Sequence, residues 1–261
     1  MTSSPQRAQM LDASMLTTLS AQIAAIGPQE DVFLAELPVP RRVLDLGCGP
    51  GAWLERAHRR WPKAKLVGID LEEALLQRIP VPCERRVGDA LTPIADPGTF
   101  DLAVCRHVLQ AVPNPERVVA NLLDAVVPGG HVWLLAEDYS LIHFPDPALQ
   151  TFWTDTALAY GAVTGTDMTG GRRAPTWLRR AGAEDVRVNW VVVDTQRVDR
   201  ALFSTIWTAW RDGYSDIVAD AVGRPRAKVR AGWDAMIAAL ADPDVYAAWH
   251  VPVICGRRPL G

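Results

Sequence analysis

Short strand-like runs, most of them apolar, alternate with amphipathic segments through the first half of the chain. The runs cover residues 42–46, 65–69, 84–87, 102–105 and 131–136. The segments between them carry apolar positions at helical spacing over 52–61, 72–78 and 115–126. Continuous apolar runs are typical of strands buried on both faces, and strands that alternate with helices form parallel sheets. The run at 84–87 is assigned as a strand from its position in this alternation of strands and helices, because its own residues are mostly charged.

The second half of the chain has a different order of elements. Predicted helices at 148–160 and 174–181 precede a β-branched strand at 186–194, helices at 198–218 and 224–241, and a last strand at 250–255. A further helix is predicted over 8–26 and ends at Gly27-Pro28. The pattern therefore predicts an α/β fold. Its sheet has seven mostly parallel strands with helices on both faces, and the first helix and residues 198–241 form a helical cap.

Length, charge and cysteine usage exclude several classes of protein. A chain of 261 residues that is 49% apolar supports one substantial core. A net charge of −3 without a basic stripe predicts no nucleic-acid partner. The sequence contains no run of 18 apolar residues, so no membrane span is predicted. The first ten residues lack the basic-then-apolar order of a signal peptide. The four cysteines are far apart, which predicts neither disulfides nor a zinc site and favours the cytoplasm.

The main chemical signal is a glycine-rich turn between the first predicted strand and the next helix. It reads Asp45-Leu46-Gly47-Cys48-Gly49-Pro50-Gly51. Glycines allow positive φ and a close approach of a ligand to the backbone. Gly47, Gly49 and Ala52 also satisfy the dinucleotide fingerprint, so the turn alone leaves NAD and another nucleoside cofactor open. A turn without any ligand is the alternative structural interpretation.

Three motifs in order resemble class I, Rossmann-like S-adenosylmethionine-dependent methyltransferases of the small-molecule and quinone-biosynthesis type. They are the D-L-G-C-G-P-G turn, the segment 100–113 around the fourth strand, and the P-G-G turn at 128–130. The resemblance covers about residues 40–138. It implies that S-adenosylmethionine is bound and S-adenosylhomocysteine released. The residues that it places at the methionine half of the cofactor are Asp45, Gly47, Cys48, Gly49 and Gly51.

Further cofactor contacts are implied after the next three strands. Asp70 ends the second run, 19 residues past Gly51, where an acidic side chain accepts hydrogen bonds from a ribose diol. The alternative is that Asp70 only caps the following helix. Leu71 next to it, Asp89-Ala90 after the third strand, and Arg106-His107 after the fourth complete the implied cofactor site.

The acceptor is expected at the carboxyl ends of the strands. His107 is a candidate general base because an unperturbed histidine titrates near neutral pH. After the fifth strand come Glu137, Asp138 and Tyr139, with His143 nearby. The predicted catalytic residues are therefore His107, Asp138, Tyr139 and His143. A structural role for each histidine is the alternative.

An aromatic stripe extends the predicted acceptor site. Trp207, Trp210 and Tyr214 fall on one face of the 198–218 helix, where they either pack the core or cover the active site. Together with Tyr139 and His143 they are the predicted substrate-binding residues. The sequence shows no cluster of His, Cys and carboxylate residues at metal-binding spacing, so no metal is predicted.

The whole chain is predicted to be one methyltransferase domain. Its parts are an N-terminal helical cap (1–40), a cofactor-binding core (41–140) and a substrate-side part (141–261) that contains the insertion. The expected reaction is methyl transfer to a small molecule of aromatic or secondary-metabolite type, by a monomer or homodimer. The alternatives are a methyltransferase acting on RNA or protein, a non-catalytic cofactor-binding protein and an NAD-dependent oxidoreductase.

Overall fold

A computed structural model describes residues 12–261, and a central sheet of eight strands organises them. The strands are β1 (Arg42–Leu46), β2 (Lys65–Asp70), β3 (Glu84–Val87), β4 (Phe100–Arg106), β5 (Val126–Leu135), β6 (Ile142–His143), β7 (Glu184–Asp194) and β8 (Ala248–Arg257). Their order is β3-β2-β1-β4-β5-β8-β6, and β7 pairs with β8. The first five strands are parallel, whereas β8 is antiparallel to its three neighbours. The predicted α/β class is confirmed. The sheet has an additional strand because two residues, too few for a readable pattern, pair with β8 as β6.

Helices cover both faces of this sheet. They are α1 (Ala13–Leu34), α2 (Ala52–Arg60), α3 (Glu73–Leu76), α4 (Pro115–Ala125), α5 (Pro147–Trp153), α6 (Ala159–Thr164), α7 (Ala174–Arg180), α8 (Arg200–Val222) and α9 (Arg226–Ala241). Successive strand residues point to opposite faces, so Val43 joins one buried cluster with α1, α2, α8 and α9. Leu44 joins the other cluster, with α4 and α7. The polar strand at 84–87 forms as predicted and pairs with β2.

The predicted end of the first helix at Gly27-Pro28 is wrong. α1 continues through Pro28 to Leu34. A proline inside a helix removes one backbone hydrogen bond, but the turns on both sides of Pro28 are held by buried Ile26, Glu30 and Leu34. Tertiary packing therefore outweighs the local helix-breaking signal. Residues 8–11 of that helix, and residues 1–11 of the predicted cap, lie outside the described residues.

The helix predicted over 148–160 is interrupted. A π-helical segment, Thr154–Leu158, joins α5 to α6. The Thr156 hydroxyl donates a hydrogen bond to the Phe152 carbonyl at 2.5 Å within this segment. Such bulges in a helix often occur at functional sites. Here Ala157, within the bulge, lies at the wall of the cavity described below.

Helices α1 and α8 pack against each other over one face of the sheet. The Gln29 side chain of α1 also bonds the edge of β7, accepting from the Val192 amide at 3.0 Å and donating to the Val192 carbonyl at 2.8 Å. These contacts place α1 and α8 above the carboxyl ends of the parallel strands. Met15 and Leu19 of α1 and Tyr214 of α8 line one cavity there.

Candidate active site

The cavity lies where the strand order reverses. β2 and β3 extend from one side of β1, and β4 and β5 extend from the other. In parallel α/β sheets, ligands bind in the crevice outside the carboxyl ends at such a point. The cavity measures about 1700 Å³ including its open mouth. It extends along the ends of the five strands β3, β2, β1, β4 and β5. Their four spacings of ~4.8 Å give a length of about 19 Å.

Most residues of the predicted site line this cavity. They are Gly47, Gly49, Asp70, Leu71, Asp89, Ala90, Arg106, His107, Tyr139, Trp210 and Tyr214. Six others lie outside the lining: Asp45, Cys48, Gly51, Asp138, His143 and Trp207. The structure therefore brings together residues from elements far apart in the sequence, and it separates some immediate neighbours.

The glycine turn leaves its backbone open toward the cavity. Gly47 has φ +75°, and a Cβ atom there would lie 2.3 Å from Cγ2 of Val108, so only glycine lets the β1 and β4 loops approach. Gly49 has φ +53°, and a Cβ atom there would meet only the Leu19 Cδ1 atom, at 3.8 Å. Space therefore exists beside Gly49 for a ligand.

Two carboxylates stand beside this turn. Asp70 accepts hydrogen bonds from the Gly49 amide at 2.7 Å and from the Glu72 amide at 2.9 Å. Burial raises the pKa of Asp70, and the bonds from the Glu72 and Gly49 amides oppose that rise. Asp89 is half-buried and accepts from the Leu91 amide at 2.9 Å. Each carboxylate keeps lone pairs for a polar ligand.

Asp45 and Cys48, which were expected at the cofactor, are buried under the turn. Asp45 lies within β1, and burial raises its pKa to about 7 although the Arg106 charge opposes the rise. Burial also raises the pKa of the Cys48 thiol. Gly51 begins α2 as its N-cap. These residues support the loop from below and do not face the cavity.

Arg106 ends β4 in a buried ion pair that the sequence pattern did not indicate. Its Nε atom lies 3.2 Å from Oε1 of Glu30, and Glu30 is 0% exposed. The same oxygen accepts a hydrogen bond from Nε1 of Trp133 at 2.9 Å. A glutamate on the buried side of α1, between Ile26 and Leu34, was the available signal for this partner. It lies 76 residues before Arg106, which is too far for local pattern reading.

His107 and Glu137 form a buried pair between the ends of β4 and β5. The His107 Nδ1 atom lies 2.5 Å from Oε1 of Glu137, with the two side chains 9% and 0% exposed. Nε2 of His107 and Oε2 of Glu137 have no hydrogen-bond partner among residues 12–261. His107 has φ +56°, a strained value for a residue other than glycine and one that is found at functional sites. In the tautomer that donates from Nδ1 to Oε1 of Glu137, the Nε2 lone pair is available.

Asp138, expected to face the acceptor, does not do so. It is 0% exposed and forms a two-point ion pair with Arg172, with Nε–Oδ2 at 2.6 Å and Nη2–Oδ1 at 3.0 Å. Its Oδ1 atom also accepts from the Ser140 hydroxyl. Adjacent side chains in extended backbone point in opposite directions, so Glu137 meets the cavity and Asp138 meets the loop behind it.

His143 and Trp207 are also displaced from the predicted site. His143 is exposed on β6 and lies outside the cavity lining. Trp207 is 0% exposed, with rings of Phe144 and Trp153 each 5.1 Å from its own. It is a core residue, so the core-packing alternative holds for Trp207. Trp210 and Tyr214, one and two turns further along α8, do line the cavity.

Aromatic rings form the wall opposite the glycine turn. Tyr139 meets Trp210 edge-on at 5.6 Å and Trp153 at 5.9 Å, and Trp153 stacks on Trp210 at 5.9 Å. Burial raises the pKa of Tyr139 well above its ordinary value, so its hydroxyl stays protonated at neutral pH. Trp153 was not among the predicted site residues because its helix showed no distinctive motif.

Two features are absent from the described part of the chain. No group of three or more His, Cys, Asp or Glu side chains in residues 12–261 is arranged to hold a metal ion. No helix in that range is long and apolar enough to cross a membrane.

One protein-family profile matches most of the chain. The methyltransferase domain family matches residues 21–187. The chain belongs to this family, as the resemblance in its sequence predicts.

Particular relatives match shorter stretches. The chain is 32% identical over 128 residues to "Methyltransferase str3" of Strobilurus tenacellus, covering 48% of this chain and 46% of that protein. It is 36% identical over 107 residues to a trans-aconitate 2-methyltransferase of Rhodopseudomonas palustris, covering 40% and 41%. The matched stretch thus spans less than half the length of either relative.

A solved structure has the same fold over nearly the whole chain. It is phosphoethanolamine N-methyltransferase 2 of Haemonchus contortus, in complex with phosphomonomethylethanolamine and S-adenosylhomocysteine. The TM-score is 0.56 at 16% identity, with 92% of this chain and 56% of that chain covered. At this identity the likeness shows the fold alone.

Proposed function

We propose that the protein transfers the methyl group of S-adenosylmethionine to a small-molecule acceptor and releases S-adenosylhomocysteine. The observation that carries the proposal is a single cavity with two chemically different ends. A glycine turn with two carboxylates lies over β1 to β3, and a histidine–glutamate pair with aromatic rings lies over β4 and β5. Family membership supports the same activity, and the relatives named above include a methyltransferase of a small carboxylic acid.

The glycine end fits an adenosyl group linked to an amino acid. Open space beside Gly49 lets such a ligand approach the backbone, and the free lone pairs of Asp70 suit a ribose diol. Asp89 and Ala90 line the same end of the cavity, which supports a contact with the adenine edge. When bound, S-adenosylmethionine supplies a methyl group that is activated by attachment to a positively charged sulfur.

The other end supplies a proton acceptor. Nε2 of His107 is buried and unpartnered among the described residues, and Glu137 fixes the ring through Nδ1. This arrangement holds the acceptor's proton at a defined atom, a contribution of typically ~10²–10⁴ to rate. The buried rings of Tyr139, Trp153 and Trp210 exclude water from the acceptor.

Titration calorimetry and labelled-cofactor assays test the proposal. S-adenosylmethionine should bind and NAD should not, and a metabolite panel incubated with methyl-labelled cofactor should yield a labelled small molecule by mass spectrometry. Binding of NAD alone would favour an oxidoreductase. Binding of S-adenosylmethionine without transfer to metabolites, RNA or protein would favour a non-catalytic protein.

Two histidine variants test the role of the pair. His107→Gln should lower kcat by ~10²–10⁴ while S-adenosylmethionine affinity changes far less. The matched control is His143→Gln, which removes an exposed imidazole outside the cavity and should leave kcat unchanged. Equal losses in both variants would contradict the assignment of His107.

Location and assembly stay predictions within this proposal. The wide spacing of the cysteines supports the cytoplasm, and the charge distribution supports small molecules over nucleic acid as partners.

A further inference from the structure

Acidic side chains line both ends of the cavity. Asp70 and Asp89 follow β2 and β3, whereas Glu137 follows β5. β2 and β5 are three strand spacings apart, about 14 Å at ~4.8 Å each, so the acceptor end experiences Glu137 most strongly. Glu137 is 0% exposed, and one of its oxygens has no hydrogen-bond partner among residues 12–261.

No free cation balances Glu137 at the acceptor end of the described lining. Arg106 is the one Arg or Lys among the described lining residues. Its guanidinium lies against the buried carboxylate of Glu30, with Nε 3.2 Å from Oε1, so these two charges offset each other. Glu137 is therefore the acceptor-end carboxylate that no Arg or Lys of the described lining pairs.

The aromatic lining of this end favours an acceptor with an apolar, aromatic surface. The rings of Tyr139, Trp153 and Trp210 lie within 5.6–5.9 Å of one another and form an apolar wall. Buried apolar pockets with few polar groups bind apolar molecules whose polar atoms meet those groups. Nε2 of His107 is among the polar atoms of the lining that lack a hydrogen-bond partner in residues 12–261, as are Oε1 of Gln110 and the Tyr160 hydroxyl.

From this charge count we infer that the acceptor is an uncharged, planar compound methylated on a hydroxyl oxygen. The inference rests on the proposed function and narrows its substrate class. The sulfonium of the methyl donor brings one positive charge, which the charge of Glu137 balances. A carboxylate acceptor would add an unbalanced negative charge, and an ammonium acceptor an unbalanced positive one. Unpaired charges are costly in a buried site.

The reaction of a hydroxyl keeps this balance. The hydroxyl oxygen forms the new bond to the methyl carbon, and the carbon–sulfur bond breaks with its electron pair left on sulfur. The hydroxyl proton passes to Nε2 of His107. The product side then holds a neutral thioether, a neutral ether and an imidazolium paired with Glu137 at 2.5 Å.

Three probes that share one ring system test the inference by binding. The protein is first saturated with sinefungin, which carries an ammonium group in place of the sulfonium. It is then titrated calorimetrically with 2-naphthol, 2-naphthoate and 2-naphthylmethylammonium at pH 7. We expect 2-naphthol to bind about tenfold or more tightly than either ion, a difference of ~1.4 kcal/mol. Absent 2-naphthol binding, or an ion that binds as tightly, overturns the inference.

A variant isolates the charge responsible. Glu137→Gln should reduce the preference for 2-naphthol over 2-naphthoate by about tenfold, equivalent to ~1.4 kcal/mol. Glu116→Gln, an exposed substitution on α4, is the control and should keep the preference. An unchanged preference in folded Glu137→Gln, checked by circular dichroism, overturns the inference. If sinefungin does not bind the unaltered protein, both the proposed function and this inference are overturned. If sinefungin binds, the relative affinities of the three probes test the inference alone.

Discussion

The Asp70 carboxylate accepts a hydrogen bond from the Gly49 amide at 2.7 Å, so the end of β2 holds the turn that follows β1. The other oxygen accepts from the Glu72 amide at 2.9 Å. One side chain thus orders both the glycine turn and the turn that precedes α3. Asp70 is not the N-cap of α3, which is Glu72, and its carboxylate keeps further lone-pair sites for a ligand because a carboxylate has about four.

Asp70→Asn should weaken S-adenosylmethionine binding by about 1–3 kcal/mol. The asparagine side chain has an NH2 group in place of one carboxylate oxygen, so a donor would face the backbone N–H of Gly49 or Glu72. Calorimetry on the folded variant measures the loss. Asp124→Asn, on the exposed side of α4, is the matched control and should bind normally. Native affinity in Asp70→Asn would remove Asp70 from the cofactor site.

Trp207→Ala should cost about 3–5 kcal/mol of unfolding free energy, because it opens a cavity among the buried rings of Phe144, Trp153 and Trp233. Tyr214→Leu, which changes a cavity-lining residue of the same helix, should instead raise the acceptor KM. Urea unfolding together with KM values compares the two. A selective KM effect from Trp207→Ala with native stability would contradict the core assignment.

Stability should fall between about pH 4 and pH 7 through Asp45. Burial raises the pKa of Asp45 from 3.8 to about 7, so the folded state binds its proton more tightly than the unfolded state does. The stabilisation is complete below pH 4 and is lost as the pH rises to 7. Asp45→Asn should flatten this slope. Between pH 5 and pH 8 the variant should lose on the order of 2–3 kcal/mol less stability than the parent protein, at about 1.36 kcal/mol for each of the roughly two pKa units from pH 5 to the folded-state pKa. Unfolding curves at both pH values would show no such difference if Asp45 ionises normally.

Arg172→Met should destabilise the protein by about 1–3 kcal/mol and raise the acceptor KM. The buried Asp138 would lose its ion pair, and the loop at 166–172 would lose its anchor to the end of β5. Met168 of that loop lines the cavity, and its carbonyl accepts from the Tyr139 amide at 2.9 Å. Arg117→Met, an exposed change on α4, is the control. Native stability and KM in Arg172→Met would show that the loop holds its place without the ion pair.

Local sequence patterns were sufficient to predict the α/β class and the residues that meet at the glycine end of the cavity. Strand and helix periodicities are local, and even the polar β3 followed from the rhythm of its neighbours. Because parallel strands carry their carboxyl ends to one edge, Gly47, Gly49 and Asp70 had to meet once the strands were placed. Local patterns failed at Pro28, where burial of the flanking turns outweighed the helix-breaking signal.

The residues that line the acceptor end could be identified from the three-dimensional structure and not from local sequence patterns. Which of two neighbouring acids, Glu137 or Asp138, faces the cavity depends on the direction of the chain after β5, which composition does not reveal. The partner of Arg106 comes from Glu30 in a helix 76 residues earlier, and no local period links the two. Trp207 and Trp210 share a helix, yet one fills the core and the other lines the cavity. These differences arise because a side chain's role depends on the elements packed around it, and long-range packing sets that arrangement.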